Sequence, residues 1–164
     1  ASELGNSFSG SVDQISYWDA TNQYFVAATN LGDFWDGDFA INTGDVLMIY
    51  TYTQTVMYSI GNLPAINATY NIVAGNNTIM ITLNRSLFAW ASEVGDDMAV
   101  GGVDQISYWD NINQYFVAAT NLGDFWDGDF AVNIAMPLMS YSYSAFTWPS
   151  APPAKSHLAP RASK

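Results

Sequence analysis

One stretch of this chain, residues 12–42, occurs twice, and this repetition limits the possible folds more than any other feature. It returns as residues 103–133, and only three positions differ between the two stretches. The differing pairs are Ala20 and Asn111, Thr21 and Ile112, and Ile41 and Val132. An internal repeat this close indicates two copies of one structural unit, and we expect a pseudo-twofold axis to relate them.

The repeat also predicts the domain organisation. The chain has 164 residues and 49% hydrophobic residues, enough for two small repeats that share one core. We therefore predict a single domain over residues 1–149. Its first copy, residues 1–61, is incomplete, and its second copy is residues 70–149. Residues 150–164 are rich in Pro and Ala and basic, which predicts a tail outside the core.

Short alternating segments separated by turn residues predict a mainly β fold, an antiparallel sandwich or barrel. The clearest predicted strands are residues 14–18, 23–29 and 46–56, with a weaker strand at 67–73, a turn at 75–77 and a further strand at 78–83. One short helix is predicted near residues 87–94, capped by Ser86 and stopped by Gly95.

The first copy lacks the opening strand of the second. Residues 1–5 match residues 91–95, so the first copy begins in the last turn of a predicted helix, with no counterpart of strand 78–83. Missing packing partners leave an open sheet edge, and exposed edges invite strand addition. We expect residues 70–83, the tail or a neighbouring chain to cover that edge.

The charge distribution excludes some partners. All 15 acidic residues share the first 150 positions with a single basic residue, Arg85, since the other three basic residues follow Ser150. Such a surface repels phosphate backbones, so we expect no nucleic-acid partner. No apolar run is long enough to cross a membrane, which takes about 20 residues. The chain has no cysteine, and its low charge with much Asn, Thr, Ser and Tyr favours an extracellular location.

The order of motifs carries a resemblance to a known kind of repeat. A strand is followed by a short helix ending in Ala-Ser-Glu, a hydrophobic residue and Gly, then by VDQISYWD, QYFVAAT and a closing TWP. This pattern resembles repeats of large secreted, multidomain bacterial proteins that often accompany glycan- or surface-directed domains. The likeness covers most of residues 1–149. It implies secretion and a place at the cell surface, and it brings no catalytic residues with it.

Aromatic residues beside polar ones are the first candidates for a binding site. Glycan binders stack sugar faces on exposed Trp and Tyr and hold hydroxyls with polar side chains. For any one ring a place in the core is the commoner outcome, and we assign Trp90 and Trp148 to the core. The predicted ligand-binding residues are Trp18, Gln23, Tyr24 and Trp35 with their duplicates Trp109, Gln114, Tyr115 and Trp126.

An acidic loop in each copy is a candidate calcium site. Three carboxylates lie within six residues, and a glycine among them lets backbone carbonyls turn inward, which suits Ca²⁺. The alternative is a solvated acidic turn, and the fold requires no cofactor. The candidate ligands are Asp33, Asp36 and Asp38 in the first copy and Asp124, Asp127 and Asp129 in the second.

Catalysis is not expected. The single histidine, His157, lies in the tail, and neither a cysteine nor a G-x-S-x-G motif is present. Two function classes stay open. The first is a non-catalytic extracellular carbohydrate-binding module whose partner is a polysaccharide or another neutral glycan. The second is a self-assembling extracellular structural protein, a filament, surface-layer or matrix subunit completed by strand exchange.

Overall fold

The computed structural model describes residues 1–8, 12–54, 69–81, 87–98 and 102–149. Within these residues short strands dominate and two short helices are present, so the prediction of a mainly β fold is confirmed. The elements in chain order are α1 (Ser2–Asn6), β1 (Val12–Asp19), β2 (Tyr24–Asn30), β3 (Trp35–Asp36), β4 (Leu47–Thr51), β5 (Tyr70–Ile72), β6 (Gly75–Met80), α2 (Ala91–Asp97), β7 (Val103–Asp110), β8 (Tyr115–Asn121), β9 (Trp126–Asp127), β10 (Pro137–Ser142) and β11 (Phe146–Trp148).

The strands form three antiparallel sheets, an arrangement consistent with a β-sandwich. The first copy builds a sheet of four strands in the order β3-β2-β1-β4. The second copy builds a sheet of five strands in the order β6-β10-β7-β8-β9, and β11 pairs with β5 in a separate ribbon. The second sheet therefore has the strand order of the first with one strand, β6, added at its edge.

The strand pairing of the two copies agrees residue by residue. Trp18 lies opposite Phe25 in the first hairpin, as Trp109 lies opposite Phe116 in the second. Phe39 packs edge-on against Tyr17 in the first copy, and Phe130 packs in the same way against Tyr108 in the second. The ring centroids are 4.8 Å apart in both pairs. The repeated sequence thus produces a repeated hairpin with the same contacts.

The helices begin later than the sequence predicts. α2 starts at Ala91 and not near residue 87, because Glu93 Oε2 accepts hydrogen bonds from the backbone N–H of Ala89 at 2.6 Å and of Trp90 at 3.1 Å. This carboxylate satisfies donors that a helix start leaves unpaired. Trp90 is consequently 49% exposed, so its assignment to the core is wrong. The predicted helical segment at the start of the first copy is confirmed as α1.

The principal hydrophobic core lies in the second copy. Its buried cluster runs from Ile72 to Trp148 and includes no residue of the first copy, whose own buried apolar side chains are Val12, Ile15 and Ala28. Trp148 is 1% exposed and donates its indole N–H to Asp97 Oδ2 at 2.8 Å, which confirms its place in the core. A core shared by both copies, as the sequence analysis expects, is not formed among the described residues.

The strand that opens the second copy stays in that copy. β6 begins at Gly75, where the sequence predicts a turn, and pairs with β10 from Gly75–Ser142 to Met80–Pro137. The expectation that residues 70–83 cover the edge of the first copy is therefore wrong for the strands described. The edge of β4 that faces away from β1 has no strand partner in the described parts of the chain.

This difference changes the burial of equivalent strands. On β10 the side chains of Leu138, Ser140 and Ser142 are at most 2% exposed. Their counterparts on β4 are all partly exposed, since nothing described takes the place of β6 beside them. β4 is also shorter than predicted, and the end of the predicted strand, residues 55–56, lies outside the described residues. No described helix is long and apolar enough to span a membrane.

Candidate binding surfaces

The end of the first hairpin is held in a fixed shape by Asp19. Its carboxylate accepts hydrogen bonds from the backbone N–H of Thr21 and Asn22, each at 3.0 Å, and from the Asn22 side chain at 2.9 Å. The Asn22 side-chain bond is the main reason that the pKa of Asp19 lies below its ordinary value. The turn leaves Gln23 with φ of 58°, in the left-handed region.

This hairpin end binds the backbone of the second copy. The carboxamide of Gln23 donates to the carbonyl oxygen of Asn76 at 2.9 Å and accepts from the N–H of the same residue at 2.9 Å. The indole N–H of Trp18 donates to the same carbonyl oxygen at 2.8 Å. Gly75 permits the approach, because a Cβ there would lie 2.6 Å from Gln23 Oε1. Trp18 and Gln23, predicted to bind ligand, therefore join the two copies.

The second hairpin end has the same shape without the same partner. Asp110 accepts from the backbone N–H of Ile112 and Asn113, and the Asn113 side chain is the main cause of the lowered pKa of Asp110. Gln114 has φ of 59° and donates to Asn111 O at 2.7 Å. The indole N–H of Trp109 and the Oε1 atom of Gln114 have no bonding partner among the described residues.

The tryptophans of the acidic loops fix the helices to the sheets. The six-membered ring of Trp35 lies against Gly5, where an added Cβ would come within 2.2 Å of the ring. Its indole N–H donates to Asn6 Oδ1 at 2.9 Å. Trp126 makes the equivalent contacts, with 2.1 Å to a Cβ built on Gly95 and a 2.9 Å bond to an aspartate. These contacts turn both rings toward the helices, and ligand binding by Trp35 and Trp126 stays a prediction.

The carboxylates of the acidic loops also serve the helix starts. Asp38 accepts from the backbone N–H and the hydroxyl of Ser2 at 2.8 and 2.6 Å, and Asp129 does the same for Ser92 at 2.9 and 2.6 Å. The Ser2 hydroxyl is the main cause that lowers the pKa of Asp38, followed by the α-amino group. This pattern satisfies unpaired donors of the first helical turn.

Calcium binding by these loops has no assembled site in the described structure. Within residues 1–8, 12–54, 69–81, 87–98 and 102–149, no three acidic or histidine side chains lie where they could hold one metal ion. Two of the six predicted ligands are occupied as helix caps. Calcium binding stays a prediction for the other four, Asp33, Asp36, Asp124 and Asp127.

A continuous row of aromatic side chains lies on one face of each sheet. In the strand pairing, Gln14 lies opposite Tyr50 and Ser16 opposite Met48, which places these side chains on the face of Trp18 and Phe25. We call this surface the outer aromatic face. Its members are Trp18, Phe25, Met48, Tyr50 and Tyr52 in the first copy, and Trp109, Phe116, Met139, Tyr141 and Tyr143 in the second.

Most of these rings are open to solvent. Tyr50 is 57% exposed and Tyr143 is 65% exposed, while Trp109 is 36% exposed. Neighbouring rings meet edge to face, with 5.0 Å between the centroids of Trp109 and Phe116 and 5.5 Å between those of Tyr141 and Tyr143. Edge-to-face contacts between rings are favourable, so each pair is held in a defined orientation.

The last tyrosine of each outer aromatic face is hydrogen-bonded to an acidic residue. The Tyr52 hydroxyl donates to Asp13 at 2.6 Å, and the Tyr143 hydroxyl donates to Asp104. These hydrogen bonds are the main cause that raises the pKa of both tyrosines. Each outer aromatic face therefore ends in a polar pair able to bond a further hydroxyl group.

The structure regroups the residues predicted to bind ligand. Of the predicted set, Trp18 and Trp109 belong to the outer aromatic faces. Tyr24 and Tyr115 are about half exposed but point to the opposite side of their strands from Phe25 and Phe116. Sequence reasoning missed the phenylalanines and the paired tyrosines as site residues. The signal was available, because the alternate residues Met48, Tyr50 and Tyr52, which begin on β4, return as Met139, Tyr141 and Tyr143.

Comparison with known proteins assigns no family. The chain matches no protein-family model, no curated protein and no solved structure at a significant level.

Proposed function

We propose that this chain is a non-catalytic, extracellular module that binds a neutral polysaccharide on its outer aromatic faces. The observation that carries the proposal is the row of exposed rings across neighbouring strands, repeated with the same pairing in both copies. Stacking on a ring accepts any flat apolar face, including that of a sugar. Polar side chains next to the rings, such as Gln105 and the Tyr143–Asp104 pair, supply bonds for hydroxyl groups.

The charge of the surface supports a neutral ligand. In the first 150 residues acidic side chains far outnumber the single arginine, so an anionic glycan would be repelled. Each stacking contact is weak, and useful affinity needs several rings or both copies on one chain of sugar. A polymer therefore fits the two faces better than a free monosaccharide does.

Binding to a panel of neutral and anionic polysaccharides tests the proposal. Tyr141→Ala and Tyr50→Ala each remove an exposed ring from one face. By analogy with base stacking, worth about 1–3 kcal/mol per ring, retention should fall about 5- to 150-fold for each change. Phe125→Ala is the matched control, because this ring is 59% exposed but lies in the loop between β8 and β9 and belongs to neither face. The melting temperatures of all three variants should stay near that of the parent chain.

Two results would contradict this function. One is retention that is unchanged by both tyrosine substitutions while the chain binds the polymer. The other is the absence of binding to every neutral polysaccharide in the panel. Equal loss with Phe125→Ala would move the binding surface to the loops.

The edge of β4, which has no strand partner among the described residues, supports a second function, end-to-end assembly by strand addition. In the second copy the edge equivalent to that of β4 is covered by β6, and the side chains beneath it are buried. An added strand at β4 would bury the partly exposed Leu47, Ile49 and Thr51 and pair its free edge.

Solution size separates this function from glycan binding. Light scattering over a concentration series should give a growing mass for the parent chain. Ile49→Lys, on the face of β4 that corresponds to the buried face of β10, should reduce the growth, while Met48→Lys, on the opposite face of the same strand, should not. A monomer at all concentrations would reject assembly and leave glycan binding untouched.

A further inference from the structure

The hairpin ends of the two copies carry the same groups, and only one of them has its partner in the described structure. In the first copy, three hydrogen bonds join Trp18 and Gln23 to the backbone of Asn76. All three involve the N–H and C=O of that residue and none involves its side chain. The hairpin end thus recognises one extended backbone unit that follows a glycine.

The second hairpin end is built for the same contact. Gln114 has the left-handed φ of Gln23, and its carboxamide is held by the carbonyl oxygen of Asn111 as that of Gln23 is held by Ala20. The angle between the Trp109 and Phe116 rings is 67°, against 72° for Trp18 and Phe25. The site is therefore formed before any partner arrives, which lowers the entropy cost of binding.

We propose that Trp109 and Gln114 form a binding site for the backbone of an extended segment that begins with glycine. The occupant is the opening strand of a further repeat unit, of the kind that Gly75 and Asn76 begin in this chain. Asn76 itself is already engaged by the first hairpin end, so the occupant must come from another unit. The Trp109 indole N–H and Gln114 Nε2 would donate to its carbonyl oxygen, and Gln114 Oε1 would accept from its N–H.

Such a site gives the chain a direction of association. The hairpin end of the first copy contacts the start of β6, the strand that opens the second copy. The hairpin end of the second copy would make the same contact with the opening strand of a further repeat unit. Contacts of this head-to-tail kind join unlike surfaces and extend rather than close. The inference does not depend on glycan binding: the two sites share Trp109, but this one uses its indole N–H and the Gln114 carboxamide and not the exposed rings of the tyrosines.

A synthetic peptide of residues 69–81, which contains the Gly75–Asn76 pair, is the probe. The full chain is titrated with this peptide, and the indole N–H signals of its tryptophans are followed by NMR. The Trp109 signal, identified by its loss in Trp109→Phe, should shift in a saturable manner. Because each lost bond weakens binding by a few-fold to about tenfold, Gln114→Ala should raise the dissociation constant about tenfold or more.

Matched changes in the peptide and in the first copy keep the test specific. A peptide with Ala in place of Gly75 should bind more weakly, because Gly75 has φ of 104°, which strains an alanine, and because its Cβ would meet the Gln114 carboxamide as it would meet that of Gln23, at 2.6 Å. Gln23→Ala in the chain should leave peptide affinity unchanged and lower the urea midpoint, since this residue joins the copies. Gln114→Ala should lower the urea midpoint less than Gln23→Ala does.

Three results would overturn the proposal. They are no saturable shift of the Trp109 signal at millimolar peptide, equal affinity of the Gly and Ala peptides, and peptide binding that survives Trp109→Phe and Gln114→Ala together. The last result would place the peptide elsewhere, for example on the free edge of β4.

Discussion

Gly95→Ala should destabilise the chain, although the same change in an exposed helix stabilises it. Ala is favoured over Gly inside a helix by about 1 kcal/mol. Here, however, the new Cβ would lie 2.1 Å from Trp126 Cη2 and 2.2 Å from Cζ2, distances that no real contact reaches. The indole must move, which costs about 1–3 kcal/mol as overpacking and a further 0.5–1.5 kcal/mol if its bond to Asp96 breaks. With that bond broken, we expect a net loss of about 0.5–3.5 kcal/mol after subtracting the helix gain.

Urea unfolding of four chains measures this effect: the parent, Gly95→Ala, Trp126→Leu and the double variant. Because leucine lacks the outer ring atoms that meet the Cβ, Gly95→Ala should cost less in the Trp126→Leu background by at least 1 kcal/mol, about twice the usual error of additivity. Gly5→Ala repeats the test at Trp35, where the distances are 2.2 and 2.3 Å. A neutral or stabilising Gly95→Ala, or two substitutions that simply add, would refute the packing argument.

Two further outcomes follow from burial and from the hairpin turns. Trp148→Ala should lower the free energy of unfolding by about 3–5 kcal/mol, because the ring is 1% exposed. Trp90→Ala should lower it by about 1 kcal/mol or less, because that ring is 49% exposed. Urea unfolding of both variants measures the two losses, and equal losses would contradict the prediction. The lowered pKa values of Asp19 and Asp110 contribute stability that is present above their unfolded pKa of about 3.9 and is lost as the pH falls through the folded pKa. The urea midpoint should therefore decrease as the pH is lowered below about 4, and it should decrease less steeply in Asp19→Asn. An equally steep decrease in that variant would show that Asp19 does not contribute to it.

The repeat in the sequence predicted the local structure well, because turns and strand pairs are set by near neighbours. Asp19 caps its turn through residues two and three positions later, and the same residues return at Asp110 with the same bonds. The alternation of side chains along β4 and β10 likewise predicted which residues share a face. The start of α2 was predicted less well: Glu93 accepts the hydrogen bonds of Ala89 and Trp90, and the predicted cap, Ser86, lies outside the described residues.

Burial of the aromatic side chains could not be predicted from the sequence. Trp35 and Trp126 stand among acidic residues, which suggested exposure, yet each packs on a helix glycine distant in the sequence. Trp90 stands among apolar residues, which suggested burial, yet it is half exposed at the start of a helix. Whether a ring faces solvent depends on which distant element packs against it, and the residues next to the ring in the sequence do not specify that contact.

The sequence by itself determined that two copies of one hairpin exist, that their turns have one shape and that strands dominate the fold. These are consequences of contacts between residues close in the chain. Only the tertiary structure decided what distinguishes the environments of the repeated residues. β6 joins β10 and not β4, and the backbone of Asn76 meets Trp18 and Gln23 but not their duplicates. Identical residues therefore have different environments, because each copy is completed by contacts between segments far apart in the chain.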